Sequence, residues 1–295
     1  MSSDPGNSPG NNPGNVLACI DGSRFSAAVC DYASWISRRT GAPLTLLHNI
    51  EHSSSASLVD LSGAIGLNSR ETLLEELTDV EAQRSRLMIE QGKQLLDAAR
   101  QRAVDAEVTD PSLKQRHDGL TESLIDMEDQ IRVLVLGVRG EEHEQDEAHL
   151  GSHLESSIRS LHRPILVVNS DFKEPERVML AYDGSEASDK ALTVSANSPL
   201  FKGLPIHLVT VGETADNAEK LQASASATLR SSGHEVIAVT LGGNASEALV
   251  NYQAEQDIDL TLMGAFSHTR FRELVLGSFT AKMLLKAKRP LLLLR

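Results

Sequence analysis

Residues 16–23 read VLACIDGS and residues 178–185 read VMLAYDGS. In each stretch an apolar run, which favours a buried strand, is ended by Asp, Gly and Ser, with the carboxylates at Asp21 and Asp183. The same segment therefore occurs once in each half of the chain, which indicates an internal duplication. Because α/β sheets bind phosphorylated ligands where their strands end, the duplication predicts two candidate sites.

A glycine motif follows in each half, after a further apolar strand and before a helix. The motif of the first half is G-x2-G-x10-G-S and consists of Gly137, Gly140, Gly151 and Ser152. The motif of the second half is G-x2-[GS]-x9-G-S and consists of Gly264, Ser267, Gly277 and Ser278. A helix that begins with glycine and serine presents unpaired N–H groups and the positive end of its dipole, so both motifs favour an anion.

The order of elements predicts an α/β fold with parallel strands in two domains. A strand, a helix and a second strand open each half, and continuous apolar runs such as PILVV and PLLLL close it. We expect a disordered Pro-Gly-Asn tail over residues 1–15, a first domain over 16–170 and a second over 177–295. The third strands are predicted at 106–114 and 234–241.

The two halves differ by an insertion. The Asp residues lie 162 positions apart but the first glycines of the motifs only 127, so the first half carries 35 extra residues. They fall after its second strand, in a segment of about residues 53–102 that becomes charged and rich in leucine. The pattern predicts a long surface helix or a helical pair, with a lid or a partner-binding arm as the alternative.

Composition excludes several classes of function. A net charge of −13 opposes bulk binding to nucleic acid or to anionic membranes. No apolar run approaches the roughly 20 residues that cross a bilayer, and we expect a cytosolic protein. The two cysteines, Cys19 and Cys30, are interpreted as small core side chains.

The Asp-Gly-Ser strand ends, the second strand LTLLHN, the glycine loops and the helix-Pro-strand endings resemble the universal stress protein family, here in tandem. The resemblance implies two open, five-stranded, Rossmann-like parallel sheets. It also implies ATP or another adenine nucleotide as ligand, with Mg²⁺ as an optional partner. The positions that match the family in the second half are Asp183, Val211, Met263, Gly264, Ser267, Gly277, Ser278 and Thr280. Those of the first half are Asp21, Asn49, Leu136, Gly137, Gly140, Gly151 and Ser152.

The two copies are not equivalent. The first keeps its glycines but continues into EEHEQDE at residues 141–147, whose five carboxylates would repel a triphosphate. The second has Ser267 in place of a glycine but offers His268, Arg270 and Arg272. We therefore expect nucleotide in the second half, with the first half less favourable. Asp21 and Asp183 also fit a purely structural role in the turn before a helix.

The sequence is also compatible with functions other than nucleotide binding. A nucleotide-free interaction scaffold is the main alternative, and a slow ATPase is a third, although no Walker lysine or nucleophile-base pair is apparent. His143, His149 and His153 are interpreted as a solvated loop, and no metal site is predicted. The two domains are expected to form an internal pseudo-dimer, which leaves a homodimer open.

Overall fold

The computed structural model describes residues 14–50, 67–140, 150–212, 215–265 and 277–294. The first half contains β1 (Asn15–Cys19), α1 (Ser26–Thr40), β2 (Leu44–Asn49), α2 (Leu67–Asp105), β3 (Ser112–Arg116), α3 (Leu120–Asp126), β4 (Ile131–Gly137), α4 (Ser152–Ser160) and β5 (Ile165–Val168). The second half contains β6 (Val178–Ala181), α5 (Glu186–Asn197), β7 (Ile206–Val211), α6 (Ala215–Ser231), β8 (Val236–Leu241), α7 (Ala245–Glu255), β9 (Leu260–Gly264), α8 (Ser278–Lys286) and β10 (Leu291–Leu294).

The strands form one sheet in the order β3-β2-β1-β4-β5-β10-β9-β6-β7-β8. Within each half every neighbouring pair is parallel, as the continuous apolar runs predict. The α/β class with five parallel strands in each half is thus confirmed. Helices pack in pairs, α1 with α2, α3 with α4, α5 with α6 and α7 with α8.

The two halves join through β5 and β10, which pair antiparallel. Leu291 lies opposite Val167, Leu292 opposite Leu166 and Leu293 opposite Ile165, and all six side chains are buried. The apolar strands that close the two halves therefore pair with each other within one chain. Each of these strands would otherwise leave an open edge of unpaired backbone groups.

Some predicted boundaries change. The strand predicted at 106–114 begins at Ser112, because α2 continues to Asp105 and left-handed residues follow at Glu107 (φ 65°) and Asp110 (φ 48°). The matching strand of the second half begins at Val236 rather than His234. β1 begins at Asn15, inside the predicted tail, whereas residues 1–13 lie outside the described part.

The described part of the insertion belongs to one helix, α2, of 39 residues, whereas its counterpart α6 has 17. Its C-terminal half is anchored in the core by Leu96, Ala99 and Ala103, all buried. Residues 51–66 of the predicted insertion lie outside the described ranges. Among the helices that the structure describes, none combines the length and the apolar character that a membrane crossing requires.

The linker between the halves is held by one buried carboxylate. Asp259, 2% exposed, accepts hydrogen bonds from Lys173 Nζ (2.5 Å), Glu176 N (2.9 Å) and Arg177 N (3.1 Å). Tyr32 of α1 adds an edge-on ring contact to Phe172, with the centroids 4.8 Å apart. A buried carboxylate with three donors is well compensated, so it fixes the path of the linker into β6.

We expect Asp259→Asn to lower the free energy of unfolding by about 2 kcal/mol, because the new amide would turn a donor toward groups that are themselves donors. Asp257→Asn is the matched control, since the Asp257 side chain is 79% exposed and Asn tolerates its φ of 50°. Its effect should stay within about 0.5 kcal/mol in urea unfolding followed by circular dichroism. Equal losses of stability in both variants would contradict the role of Asp259 in holding the linker.

Candidate functional site

A cavity of about 460 Å³, the second cavity, opens where β6, β7 and β9 end. Seven of the eight residues predicted for the second half line it, and these are Asp183, Val211, Met263, Gly264, Gly277, Ser278 and Thr280. Parallel strands bring them together because their carboxyl ends meet at one edge of the sheet. The eighth residue, Ser267, lies outside the described ranges, as do His268, Arg270 and Arg272.

Asp183 follows β6 and holds the turn into α5. Its Oδ1 accepts a hydrogen bond from Ser185 N (2.9 Å), while the Ser185 hydroxyl caps α5 by accepting from Ser188 N (3.2 Å). Burial raises the pKa of Asp183, but hydrogen bonds from Ser185 and Ser188 outweigh it, so the pKa lies below its usual value. The structural role proposed for this residue is therefore present, and its carboxylate is charged at neutral pH.

The opposite wall of the second cavity is the start of α8. Gly277 is its N-cap, with φ −56° and ψ 138°, and provides no side-chain hydrogen bond to the first N–H groups of the helix. Gly277, Ser278 and Phe279 line the cavity, so those N–H groups lie at its wall. Thr280 also lines the cavity. Its buried hydroxyl donates a hydrogen bond to the Ala265 carbonyl (3.0 Å), which connects α8 to the residue that follows β9.

Gly264 ends β9 under close contact with α5. A Cβ at this position would lie 2.6 Å from the Cβ of Ala187 and 2.9 Å from its carbonyl oxygen. Glycine is thus required by the approach of the α5 backbone rather than by an unusual φ. At Gly277 the nearest atom to such a Cβ is Thr280 Oγ1 at 3.8 Å, so that position has room.

A cavity of about 250 Å³, the first cavity, lies at the matching position of the first half. Six of the seven residues predicted there line it, and these are Asp21, Asn49, Leu136, Gly137, Gly140 and Gly151. Ser152 begins α4 beside Gly151, and its side chain lies outside the described part. The acidic loop, with His143 and His149, falls within residues 141–149, which are not described either.

Two predicted residues of the first cavity have their polar atoms engaged. Asn49 donates its amide to the Asp118 carbonyl and accepts a hydrogen bond from Ser123 Oγ (3.0 Å). Asp21 Oδ1 accepts from Ser23 N (3.0 Å) and Ser26 Oγ (2.8 Å), which is the turn role that Asp183 also has. Both side chains therefore use part of their hydrogen-bonding capacity within the protein.

Sequence reasoning missed several residues of the first cavity. Arg139, which the loop sequence GVRG contains, lines it and is 8% exposed. Its positive charge was overlooked because the five carboxylates next to it in sequence dominated the charge count. Met88, Gln91 and Leu95 of α2 also line the first cavity, and no local pattern indicates that docking. His153 lines the same cavity, and the described residues contain no group of three or more His, Cys, Asp or Glu arranged for a metal.

Comparisons with a family model and with a curated protein point to the same family. The model of the universal stress protein family matches twice, over residues 13–169 and 175–295. A universal stress protein of Synechocystis is 36% identical over 285 residues, which cover 95% of this chain and 99% of that protein.

Solved structures share the fold of the whole chain. A universal stress protein from Archaeoglobus fulgidus aligns with a TM-score of 0.71 at 18% identity, covering 95% of this chain and 98% of the other. A functionally unknown protein from Pseudomonas aeruginosa aligns with a TM-score of 0.59 at 15% identity, covering 95% and 92%.

Gly264 and Gly277 of the second cavity should differ in how well they tolerate substitution. We expect Gly264→Ser to lower the free energy of unfolding by about 2 kcal/mol, because its Cβ would overlap the backbone of Ala187. Gly277→Ser should stay within about 0.5 kcal/mol, since the space is open and serine is a good N-cap. Urea unfolding of both variants checks the difference, and a reversed order would show that the close contact with α5 does not exist.

Proposed function

This chain belongs to the universal stress protein family, with one copy of the domain in each half, and we propose that it is a cytosolic stress-response protein that binds ATP or a related adenine nucleotide. The nucleotide binds in the second cavity and acts as a regulatory ligand that changes conformation or partner choice. The family assignment gives the class of protein, and the chemistry of the second cavity supports an adenine nucleotide as the ligand.

The observation that carries the proposal is the convergence of seven predicted residues on one cavity. They come from four separate segments of the chain, at the ends of β6, β7 and β9 and at the start of α8. A volume of about 460 Å³ falls within the range of about 300–1,000 Å³ that is usual for small-molecule and cofactor sites. The space therefore suits a ligand of nucleotide size.

Each part of an adenine nucleotide has a suitable partner. Met263 and Val211 offer apolar and backbone surface for the base, and the Asp183 carboxylate can accept hydrogen bonds from ribose hydroxyls. The uncapped start of α8 offers N–H donors and the positive dipole end to the phosphates. Mg²⁺ enters only as a counterion of the phosphates, since Asp183 is the one carboxylate among the described residues that line the cavity.

Turnover has less support than binding. The titratable side chains of the described lining are Asp183 and Tyr182, and the Tyr182 hydroxyl donates to Asp189 Oδ1 (2.7 Å). The described lining contains serine hydroxyls beside Asp183 but no histidine, lysine or cysteine, the side chains that most often act as general base or activated nucleophile near neutral pH. The alternatives are a ligand-free scaffold and a slow ATPase.

The proposal predicts that ATP raises the thermal stability of the purified chain and that Gly277→Asp abolishes the effect. At a ligand concentration of 100 times Kd the unmodified chain should gain about 2.7 kcal/mol. Aspartate at the N-cap is compatible with α8 but places a negative charge where the phosphates bind. Differential scanning fluorimetry with ATP, ADP and AMP measures the shifts.

Gly242→Asp is the matched control, because it adds the same charge at an open position after β8 that does not line the second cavity. It should respond to ATP as the unmodified chain does. Full protection of Gly277→Asp would exclude the second cavity. Mass analysis of the supernatant after denaturation identifies any nucleotide that was bound and counts it per chain. The scaffold alternative requires that no nucleotide is bound and that ATP does not stabilise the protein.

A further inference from the structure

The ten-stranded sheet ends in two edge strands of different character. β3 at one end reads SLKQR and carries Lys114 and Arg116, whereas β8 at the other end reads VIAVTL and has no charged residue. Lysine and other charges on an edge strand are a usual means of preventing a further strand from pairing there. Of the two edges of the described sheet, that of β8 is therefore the one open to another strand.

Alternate residues of β8 direct their backbone groups away from the sheet. The Glu235 and Leu241 carbonyls at its two ends both accept hydrogen bonds from the β7 side (2.9 and 3.0 Å). Because backbone direction alternates along a strand, the residues at the even positions between them point N–H and C=O away from β7. These residues are Val236, Ala238 and Thr240, and the last two are exposed.

The spacing of these residues fits a second copy of the same strand. When two β8 strands pair antiparallel about a two-fold axis at Ala238, Ala238 faces its own copy and Val236 faces Thr240 of the other copy. All three residues then take hydrogen-bonded positions, and each pair exchanges two N–H···O bonds. Ile237, 39% exposed, comes to lie opposite Val239 of the other copy, which covers apolar surface.

Helix α6 flanks this edge with one particular side. Gln222 Nε2 donates to the Val239 carbonyl (2.7 Å), so Gln222 faces the sheet. Arg230 Nη2 donates to the Val236 carbonyl (3.4 Å), which points away from β7, so Arg230 lies on the outer side of α6. Three further exposed residues share this side at helical spacing from Arg230. They are Glu219, Ala223 and Ala227.

The axis that suits the strands also suits the charges of the helices. Gln222 lies level with Val239, and α6 runs antiparallel to β8. With rises of about 1.5 Å per helix residue and 3.3 Å per strand residue, Ala238 lies level with a point about two residues beyond Gln222. A two-fold axis there places Glu219 of each copy beside Arg230 of the other. Opposite charges therefore meet on both sides of the axis.

Small side chains allow the two α6 helices to approach each other. α6 packs on β7 and β8, and an axis between these strands lies two strand spacings, about 9.6 Å, from the axis of its copy. Packed helices are normally about 8–10 Å apart. Ala223 and Ala227 occupy the outer side of α6, where longer side chains would hold the helices further apart.

We propose that two copies of this chain associate through β8, which pairs antiparallel with itself about Ala238 and joins the two ten-stranded sheets into one. Two Glu219–Arg230 ion pairs flank the new strand pair and fix its register. They select a second copy over an extended segment of another protein, since α6 supplies both members of each pair. The dimer does not rest on nucleotide binding in the second cavity, and either can fail without the other.

Sedimentation velocity of the full chain over about 1–100 µM measures the association, and we expect the dimer to predominate at the upper concentration. Glu219→Arg and Arg230→Glu each place like charges at both contacts, so each should weaken dimerisation at least about fivefold. The double variant restores opposite charges and should recover the Kd of the unmodified chain. The two positions are about 16 Å apart along one helix, so this recovery reports a contact between copies.

Lys220→Glu is the matched control for charge. It reverses a charge next to Glu219 in sequence, but at 100° per residue position 220 lies on the side of α6 that faces away from the sheet and from the edge of β8. Its Kd should stay within about twofold of that of the unmodified chain.

Ala238→Pro tests the strand pairing itself. Because the N–H of Ala238 points away from β7, proline is compatible with this edge strand in a single copy. It removes both hydrogen bonds between the two Ala238 residues, so association should weaken at least about tenfold. Far-UV circular dichroism checks that each variant keeps the fold, and the charge reversals decide the question if Ala238→Pro fails to fold.

Three results would each overturn the proposal. One is a monomer at every concentration, which would leave the β8 edge to a different partner. Another is a dimer that the Glu219, Arg230 and Ala238 variants leave unchanged, which would place the interface elsewhere. The third is a double variant that dimerises as weakly as the single variants.

Discussion

The antiparallel pairing of β5 with β10 determines where the two cavities of this protein lie. It fuses two five-stranded parallel sheets into one sheet of ten strands, with the strands of the two halves running in opposite directions. The carboxyl ends of β1, β2 and β4 therefore lie at one edge of the sheet and those of β6, β7 and β9 at the opposite edge. The cavities open at opposite edges, and the described residues that line one cavity do not line the other.

Local features of the sequence predicted the fold and most of the second cavity. The Asp-Gly-Ser turns after β1 and β6 and the glycines at Gly264 and Gly277 are short patterns whose meaning depends on neighbours in the chain. In a parallel sheet, such patterns at strand ends converge without further information. The resemblance to the universal stress protein family added the roles of these residues, and the family model and a relative at 36% identity bear out the family itself.

Contacts between distant segments could not be predicted in this way. Gly264 resembles an ordinary loop glycine until Ala187 is seen against it, and Gly92 is one glycine in a helical pattern until His48 and Gln115 are found beside it. The charge of the first site was likewise interpreted from neighbours in sequence, the carboxylates of residues 141–147. Arg139 lines this cavity as well, and electrostatic effects follow distance in space rather than along the chain.

The length of α2 connects the first cavity to a surface far from it. Residues 67–87 of this helix precede the part that lines the cavity, and at 1.5 Å per residue they extend over about 30 Å. Their described side chains include Val80, 61% exposed, and Leu87, 72% exposed. Met88 comes directly after Leu87, so an occupant of the first cavity would touch the base of this exposed segment. Four residues after Met88, Gly92 packs against the side chains of His48 and Gln115, so the part of α2 that lines the first cavity is tied directly to β2 and β3.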